Sequence, residues 1–550
     1  MQRIKRPKDI WFVFSMIILA LYVAFLLYPM VRMFKESIVL PDGSFGLDYF
    51  ARFLGERYYN ITLWNSTKVT VVVTILTMAL GVPFAYFYTM YELKGAKLLQ
   101  ILAVLCSMSP PFIGAYAWIQ LFGRSGTFTT FISNTFGITL PSIYGFNGIV
   151  IVITLQLFPL VFLYMVGALR NIDNSLIEAA ENLGLRGYKR FFKIIIPLTM
   201  PTVLAATLLV FMRAFADFGT PLLIGEGFRV FPVEIYRQYL GETSTNNNFA
   251  AAISIIGVVI TAFFFLIQKW TADRHKFTMN AMNSIERKKA KPLPNLLMHL
   301  YTYGLVALAF MPQLVVLYQS FRKTSGKLFV AGYTFDNYRL AMKNMWQSIP
   351  NTLIIGLISL FIIVILSIIV SYLVVRRSNI TNQAIDTISM LPYVLPGAVV
   401  GIALLISFSD GPLILTGTSA IMVIALCIRR LPYTVRSSVA ILQQIPLSIE
   451  EAAISLGTSK MKTFFKITVP MMSKGILSGA ILSWVTIITE LSTGIILYNT
   501  STITLTIAIY TYVTRGNYGI ASALATILLF FTTVSLLLFM RVSKGREFEL

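Results

Sequence analysis

The chain has 550 residues, 56% of them hydrophobic and only 12% charged, with a net charge of +22 and a mean hydropathy of +0.75. A soluble chain carries about 25% charged residues, so a deficit spread along the whole length excludes a soluble enzyme held by a single anchor. The basic excess belongs with the cytoplasmic loops of a membrane protein rather than with nucleic acid, because Lys and Arg retain loops on that side.

Arg3, Lys5, Arg6 and Lys8 precede an apolar run from Trp11 to Met30. A span needs about 20 residues, and a signal peptide has a shorter apolar region, so this run is expected to be the first transmembrane helix, its N-terminus inside. Twelve apolar spans are expected, at 11–32, 67–90, 99–122, 147–168, 199–224, 248–270, 297–319, 350–375, 385–408, 416–440, 471–495 and 519–541. The expected fold is therefore all-α and polytopic, with both termini cytoplasmic. When residues at span ends are counted with their loops, cytoplasmic segments carry 28 Lys and Arg and outer segments 13, which favours this orientation. Cys106 and Cys427 lie in apolar runs and His275 and His299 are isolated, so neither a disulfide framework nor a metal site is expected.

The most polar interruption, 271–296, is rich in Lys and Arg and ends on Pro292 and Pro294. It reads as a cytoplasmic linker between two six-span halves, 1–270 and 297–550. The halves resemble each other. SPPFIGAYAWIQLFG (109–123) resembles LPYVLPGAVVGIALL (391–405), and VEIYRQYLG (233–241) resembles IAIYTYVTRG (507–516). Prolines 110, 111, 392 and 396 are expected to break the third and ninth spans, either to line a cavity or as packing kinks. Asn65 and Asn351 are 286 apart, where later landmarks are 273 apart. An insertion at 123–146 accounts for the difference. Repeated halves in one orientation imply pseudo-symmetry about an axis along the membrane normal.

The strongest repeat lies in the loops 169–198 and 441–471. SLIEAAENLGLRGYKRFFKIIIP (175–197) and SIEEAAISLGTSKMKTFFKITVP (448–470) align at an offset of 273. Ser175 with Glu178, and Ser448 with Glu451, fit a helix capping box. Ala179, Ala180, Ala452 and Ala453 leave a slim helix surface, and Gly184 and Gly457 fall where a left-handed turn would end the helix. A second amphipathic helix is expected along the membrane surface, with Pro197 and Pro470 marking the start of the next span. Capping accounts for the Glu residues but not for the whole constellation recurring at one spacing.

These loops resemble the EAA loops of permease subunits of binding-protein-dependent ABC importers. The narrower likeness is to fused iron(III)-type permeases, which are similar to permeases for thiamine and phosphonates. FADFGTPLLIGEG (215–227), IRRLPYTVRSS (428–438) and TRGNYGIASALATILL (514–529) carry it. The resemblance implies a multi-pass protein of the bacterial cytoplasmic (inner) membrane with no catalytic residues of its own. It implies two copies of an ABC ATPase subunit docked on the elbows at Glu178, Ala179, Ala180 and Gly184 and at Glu451, Ala452, Ala453 and Gly457. It also implies a periplasmic or lipid-anchored solute-binding protein. No G-x-x-x-x-G-K-[ST] occurs, so ATP and Mg are expected on the partner ATPase and no cofactor on this chain. Membrane lipids are expected partners and nucleic acid is not. Iron(III) is the expected cargo, with thiamine, phosphonate and sugar phosphate as alternatives. A twelve-span secondary transporter is the competing class, but MYELKGAKLL (90–99) lacks the G-x-x-x-D-R expected there.

Charges inside spans cost about 2.5–3.5 kcal/mol each at the bilayer centre, so each needs a reading. Asp217 and Glu490 occupy equivalent positions, 273 apart. They either line a central path or pair structurally, Asp217 with Arg213 one helical turn away. Arg429 and Arg430 form either an electropositive patch for an anionic substrate or chelate, or a pair that snorkels to the cytoplasmic interface.

Overall fold

The computed structural model describes residues 10–107, 111–240, 247–274, 283, 285–377 and 379–542. Among them the chain is almost entirely helical, with one small hairpin pairing Arg322–Ser325 with Leu328–Tyr333. Among the described residues, nine helices are long and apolar enough to cross a membrane. Two further helix pairs are bent, by 98° within Ala96–Ser107 and Phe112–Phe136 and by 111° within Ile380–Tyr393 and Gly397–Phe408. Counting each pair as one span gives up to 11 rather than the expected twelve. The tenth expected span is the 26-residue helix Ser419–Gln444, which carries Arg429, Arg430 and Arg436 and falls outside that count by composition.

The bends fall beside Pro111 and Pro396, whereas Pro392, also expected to break its span, lies inside the helix Ile380–Val394. Pro396 caps the helix Gly397–Phe408, and Leu395 before it is extended at φ −72° and ψ 131°. A residue before proline is driven out of the helical region, and proline itself has no N–H to continue the ladder. Pro111 opens the helix Pro111–Phe122, while Pro110 lies outside the described residues.

Two apolar clusters form the core, and the first spans are exchanged between them. Trp11, Ile18 and Leu26 of the first span bury with Ile363, Val435 and Leu528. Met298, Leu305 and Val306 of the seventh span, Pro292–Ser320, bury instead with Phe84, Phe162 and Val210. Ser15 Oγ donates to Asn382 Oδ1 at 2.8 Å, and the Tyr301 hydroxyl donates to the Leu80 carbonyl at 2.7 Å.

Small polar contacts fix a pair of short helices near the centre. Ser66 Oγ accepts from the Phe231 N–H at 2.8 Å, and Thr352 Oγ1 from the Leu505 N–H at 2.8 Å. Phe231 and Leu505 open the helices Phe231–Leu240 and Leu505–Thr514, so each hydroxyl satisfies one orphan donor of a helix start. Asn65 and Asn351 hold the same loops through the carbonyls of Arg229 and of Ser501 and Ile503.

Candidate functional site: an axial cavity and two elbows

The elbow helices are Asn174–Asn182 and Leu447–Ser455. Each ends in the same backbone motif. The Gly184 N–H donates to the Glu181 carbonyl and the Leu185 N–H to the Ala180 carbonyl, both at 2.9 Å. Gly457 and Thr458 repeat this on Ile454 and Ala453 at 2.9 and 3.1 Å. Gly184 and Gly457 stand at φ +79° and +88°, the left-handed conformation that glycine adopts without a steric penalty. The turns leave Leu183 81% and Leu456 86% exposed. Ala180 and Ala453 are buried, whereas Glu178, Ala179, Glu451 and Ala452 face outward.

The capping boxes are not formed. Asp173 caps the first elbow, its Oδ1 accepting from the Ser175 N–H at 3.0 Å, because the helix begins two residues earlier than the box requires. Glu178 accepts from Asn174 Nδ2 instead. The second elbow starts after Pro446 and has no side-chain cap. The expected surface helix is also absent as a separate element. Tyr188–Phe215 and Lys460–Ile488 run unbroken into their spans. A wide π-type turn at Phe191–Ile195 and Phe464–Thr468 lets Pro197 and Pro470 continue the helix.

Each elbow is tethered to a tyrosine, Tyr86 or Tyr372, but with the charges rearranged. In the first, Arg190 pairs with Glu181 and donates to the Tyr86 hydroxyl at 3.1 Å. In the second, Glu450 pairs with Arg376 at 2.9 Å and accepts from the Tyr372 hydroxyl at 3.2 Å. Sequence reading passed over Glu450 because the motif drew attention to Glu451. The first elbow also meets the segment just before the helix Pro292–Ser320. Lys288 Nζ pairs with Glu181 at 2.5 Å, and the Lys288 N–H donates to the Met90 carbonyl at 2.9 Å. The Lys288 ammonium, seconded by Arg190, holds the Glu181 carboxyl below the ordinary glutamate range.

At the centre lies a cavity of about 220 Å³, lined from both parts of the chain. All four predicted path residues, Asp217, Glu490, Arg429 and Arg430, line it. Arg429 and Arg430 do not snorkel. Their side chains are 12% and 13% exposed, and both pair with Glu490. The Arg429–Glu490 contact is 2.5 Å. Nor does Arg213 pair with Asp217; its Nη2 donates to the Tyr433 hydroxyl at 3.2 Å. Asp217 Oδ1 accepts from the Thr220 N–H, and Glu490 Oε1 from the Thr493 N–H, each at 3.0 Å. Each carboxylate thus accepts from the N–H three residues on, at the entry to the short helices Gly219–Ile224 and Gly494–Leu497. Glu490 is one methylene longer and reaches the guanidiniums as well. Gln156 and Leu157 line the cavity where the second half places Arg429 and Arg430, so the charge there is lopsided. Tyr393, Tyr433 and Gln156 were missed in sequence, for nothing in their local pattern marks them as facing an axis. Among the described residues no group of three His, Cys, Asp or Glu could hold a metal ion.

An all-helical bundle with a polar cavity between its parts and a duplicated elbow is consistent with a membrane transport protein. Residues 77–276 and again 363–547 match the family "Binding-protein-dependent transport system inner membrane component", and the chain belongs to that family. It is thus a multi-pass inner-membrane permease of the ABC importer type. It is similar to the ferric transport system permease protein FbpB of Actinobacillus pleuropneumoniae, 29% identical over 93% of this chain and 75% of that protein. A putative ferric transport system permease protein of Haemophilus influenzae is 29% identical over 88% and 77%. The spermidine/putrescine permease PotB of the same species matches 46% of this chain at 29% identity and 90% of its own length.

Proposed function

We propose that this chain is a fused two-half permease of an iron(III) importer, with halves 1–270 and 297–550 and both termini cytoplasmic. Two copies of a separate ATPase, which carry ATP and Mg, dock on the elbows at Ala179 and Ala452, beside Leu183 and Leu456. Their closure moves the elbows, and the unbroken helices that follow carry the motion to the cavity. A solute-binding protein delivers the cargo from the other side, and Asp217, Glu490, Arg429 and Arg430 line its path. The observation that carries this reading is the pair of exposed left-handed turns, each followed by a helix that runs on to the cavity wall. Iron(III) as cargo is supported by the ferric relatives.

The test is reconstitution of the chain in proteoliposomes with its ATPase and binding protein. ATP-dependent uptake of radioactive iron(III) is expected, lost when any one component is omitted. Uptake by the chain alone down an ion gradient would sink the proposal. ATP-dependent uptake of thiamine, a phosphonate or a sugar phosphate, without iron(III), would change the cargo and keep the machinery.

A further inference from the structure

We propose that the axial cavity binds an oxyanion, free or as the ligand shell of a metal, and that Glu490 is the built-in occupant it displaces. This rests on the reading of the cavity as the transport path.

Three guanidiniums, Arg213, Arg429 and Arg430, meet two carboxylates in one cavity, leaving one formal positive charge. Charges this deep in a membrane protein are costly unless they are paired or used. Glu490 already takes both Arg429 and Arg430, so a carboxylate between the two forks is the geometry that the structure displays. Arginine forks match carboxylate and phosphate oxygens in shape as well as charge. The donors are not exhausted. Nε of Arg429 and Nε of Arg430 are buried with no hydrogen-bond partner among the described residues, and the Gln156 amide beside them has an unpartnered oxygen. A five-donor guanidinium with spare N–H groups accommodates an incoming acceptor without first breaking every existing bond.

A bare trivalent cation suits this cavity poorly. It would find Glu490 already neutralised and only Asp217 in place of a ligand cluster, facing a surplus of positive charge. The same ion wrapped in anionic ligands meets the guanidiniums favourably. Glu490 then acts as a counter-ion that closes the site when it is empty. Once released it stays near, since its Oε1 also accepts from the Thr493 N–H and from Ser492 Oγ.

The test titrates the purified full-length permease in lipid nanodiscs with inorganic phosphate, citrate and ferric citrate, by calorimetry. The wild type should bind at least one of the three. Glu490→Gln should tighten that binding by about tenfold or more, because the competing carboxylate is gone. The double variant Arg429→Gln/Arg430→Gln should weaken it by about the same factor. Arg213→Gln leaves the Glu490 pairs intact and should also weaken binding, which keeps the test open if Glu490→Gln does not fold. Tighter binding of ferric citrate than of citrate would identify the metal-bound anion; equal binding, the free one. No binding of any probe by the wild type, or unchanged binding in Arg429→Gln/Arg430→Gln, overturns the proposal. Uptake by the reconstituted assembly separates it from the path reading. If the double variant stops uptake but binds the anions normally, the path stands and the anion site falls. If anion binding changes as expected while uptake does not, the path reading falls instead.

Discussion

Glu490 and Asp217 differ by one methylene, and that difference decides what each does beyond holding the N–H three residues on. Glu490→Gln keeps the shape and the Thr493 contact but strands two buried guanidiniums. Breaking such a pair costs about 3–5 kcal/mol, so the purified protein should melt at a markedly lower temperature. The uncharged triple variant Arg429→Gln/Arg430→Gln/Glu490→Gln should recover much of the loss; equal melting of all three proteins would show that the pairs carry no stability. Gly397 supports the same cluster. A Cβ there would lie 2.6 Å from Arg429 Nη1 and overlap Ser492 Oγ, so Gly397→Ala should reduce uptake with little change in insertion. Glu181 behaves differently because its partners lower its pKa. A carboxyl depressed in the fold stabilises above its ordinary value, and that support is lost only as pH falls through the depressed one. The mobility of a spin label at Leu183 should therefore stay constant from neutral pH to about pH 5 and rise only at more acid pH. A rise between pH 8 and 6 would count against the Lys288 tether.

Among the elements, the elbows and the short central helices depend on single donors. The Gly184 and Gly457 N–H groups close the turns, so Gly184→Pro or Gly457→Pro removes a hydrogen bond and the left-handed residue together. Each should abolish ATP-driven uptake while the spans remain inserted, as read by protease protection; normal uptake with the ATPase still copurifying in both variants would refute the coupling role. Ser66 and Thr352 each satisfy one helix-start donor. Ser66→Ala and Thr352→Ala should each cost about 1 kcal/mol, the usual scale of a lost cap, visible as a modest drop in melting temperature. The elbows are not equivalent, since the first is pinned by Lys288 and the second by Arg376. Lys288→Ala should loosen the first elbow alone.

For the whole molecule, the exchanged first spans are decisive. Trp11 packs on Tyr372 at 4.4 Å and on Phe464 at 5.0 Å, which ties the start of the chain to the second elbow. The seventh span packs in turn on the helices Ala96–Ser107 and Pro111–Phe122 as well as on the last helix, Tyr518–Val542. Cutting the chain at a protease site introduced within residues 275–282 should therefore leave two fragments that copurify in mild detergent. Their separation would mean that the linker, not the exchange, holds the parts together.

Much of this was legible in sequence because a membrane protein writes its spans as long apolar runs and its turns as glycines. Helical class, most of the long apolar helices, the two elbows, the glycine turns and the bends beside Pro111 and Pro396 follow from local composition and from a motif repeated at one spacing. Asp217, Glu490, Arg429 and Arg430 stood out because charge is rare in such runs. What those four do was not legible. Arg429 and Glu490 are 61 residues apart, and Arg213 turns to Tyr433 rather than to the carboxylate one turn away. The capping box failed for the same reason: a helix start depends on where the preceding chain is held, here by Asp173. Sequence by itself determined which stretches form long apolar helices and where glycine turns the chain, since these depend on solvent preference and backbone chemistry at each position. Only the tertiary structure decided which charges meet and which spans exchange, because those contacts join segments that no local pattern relates.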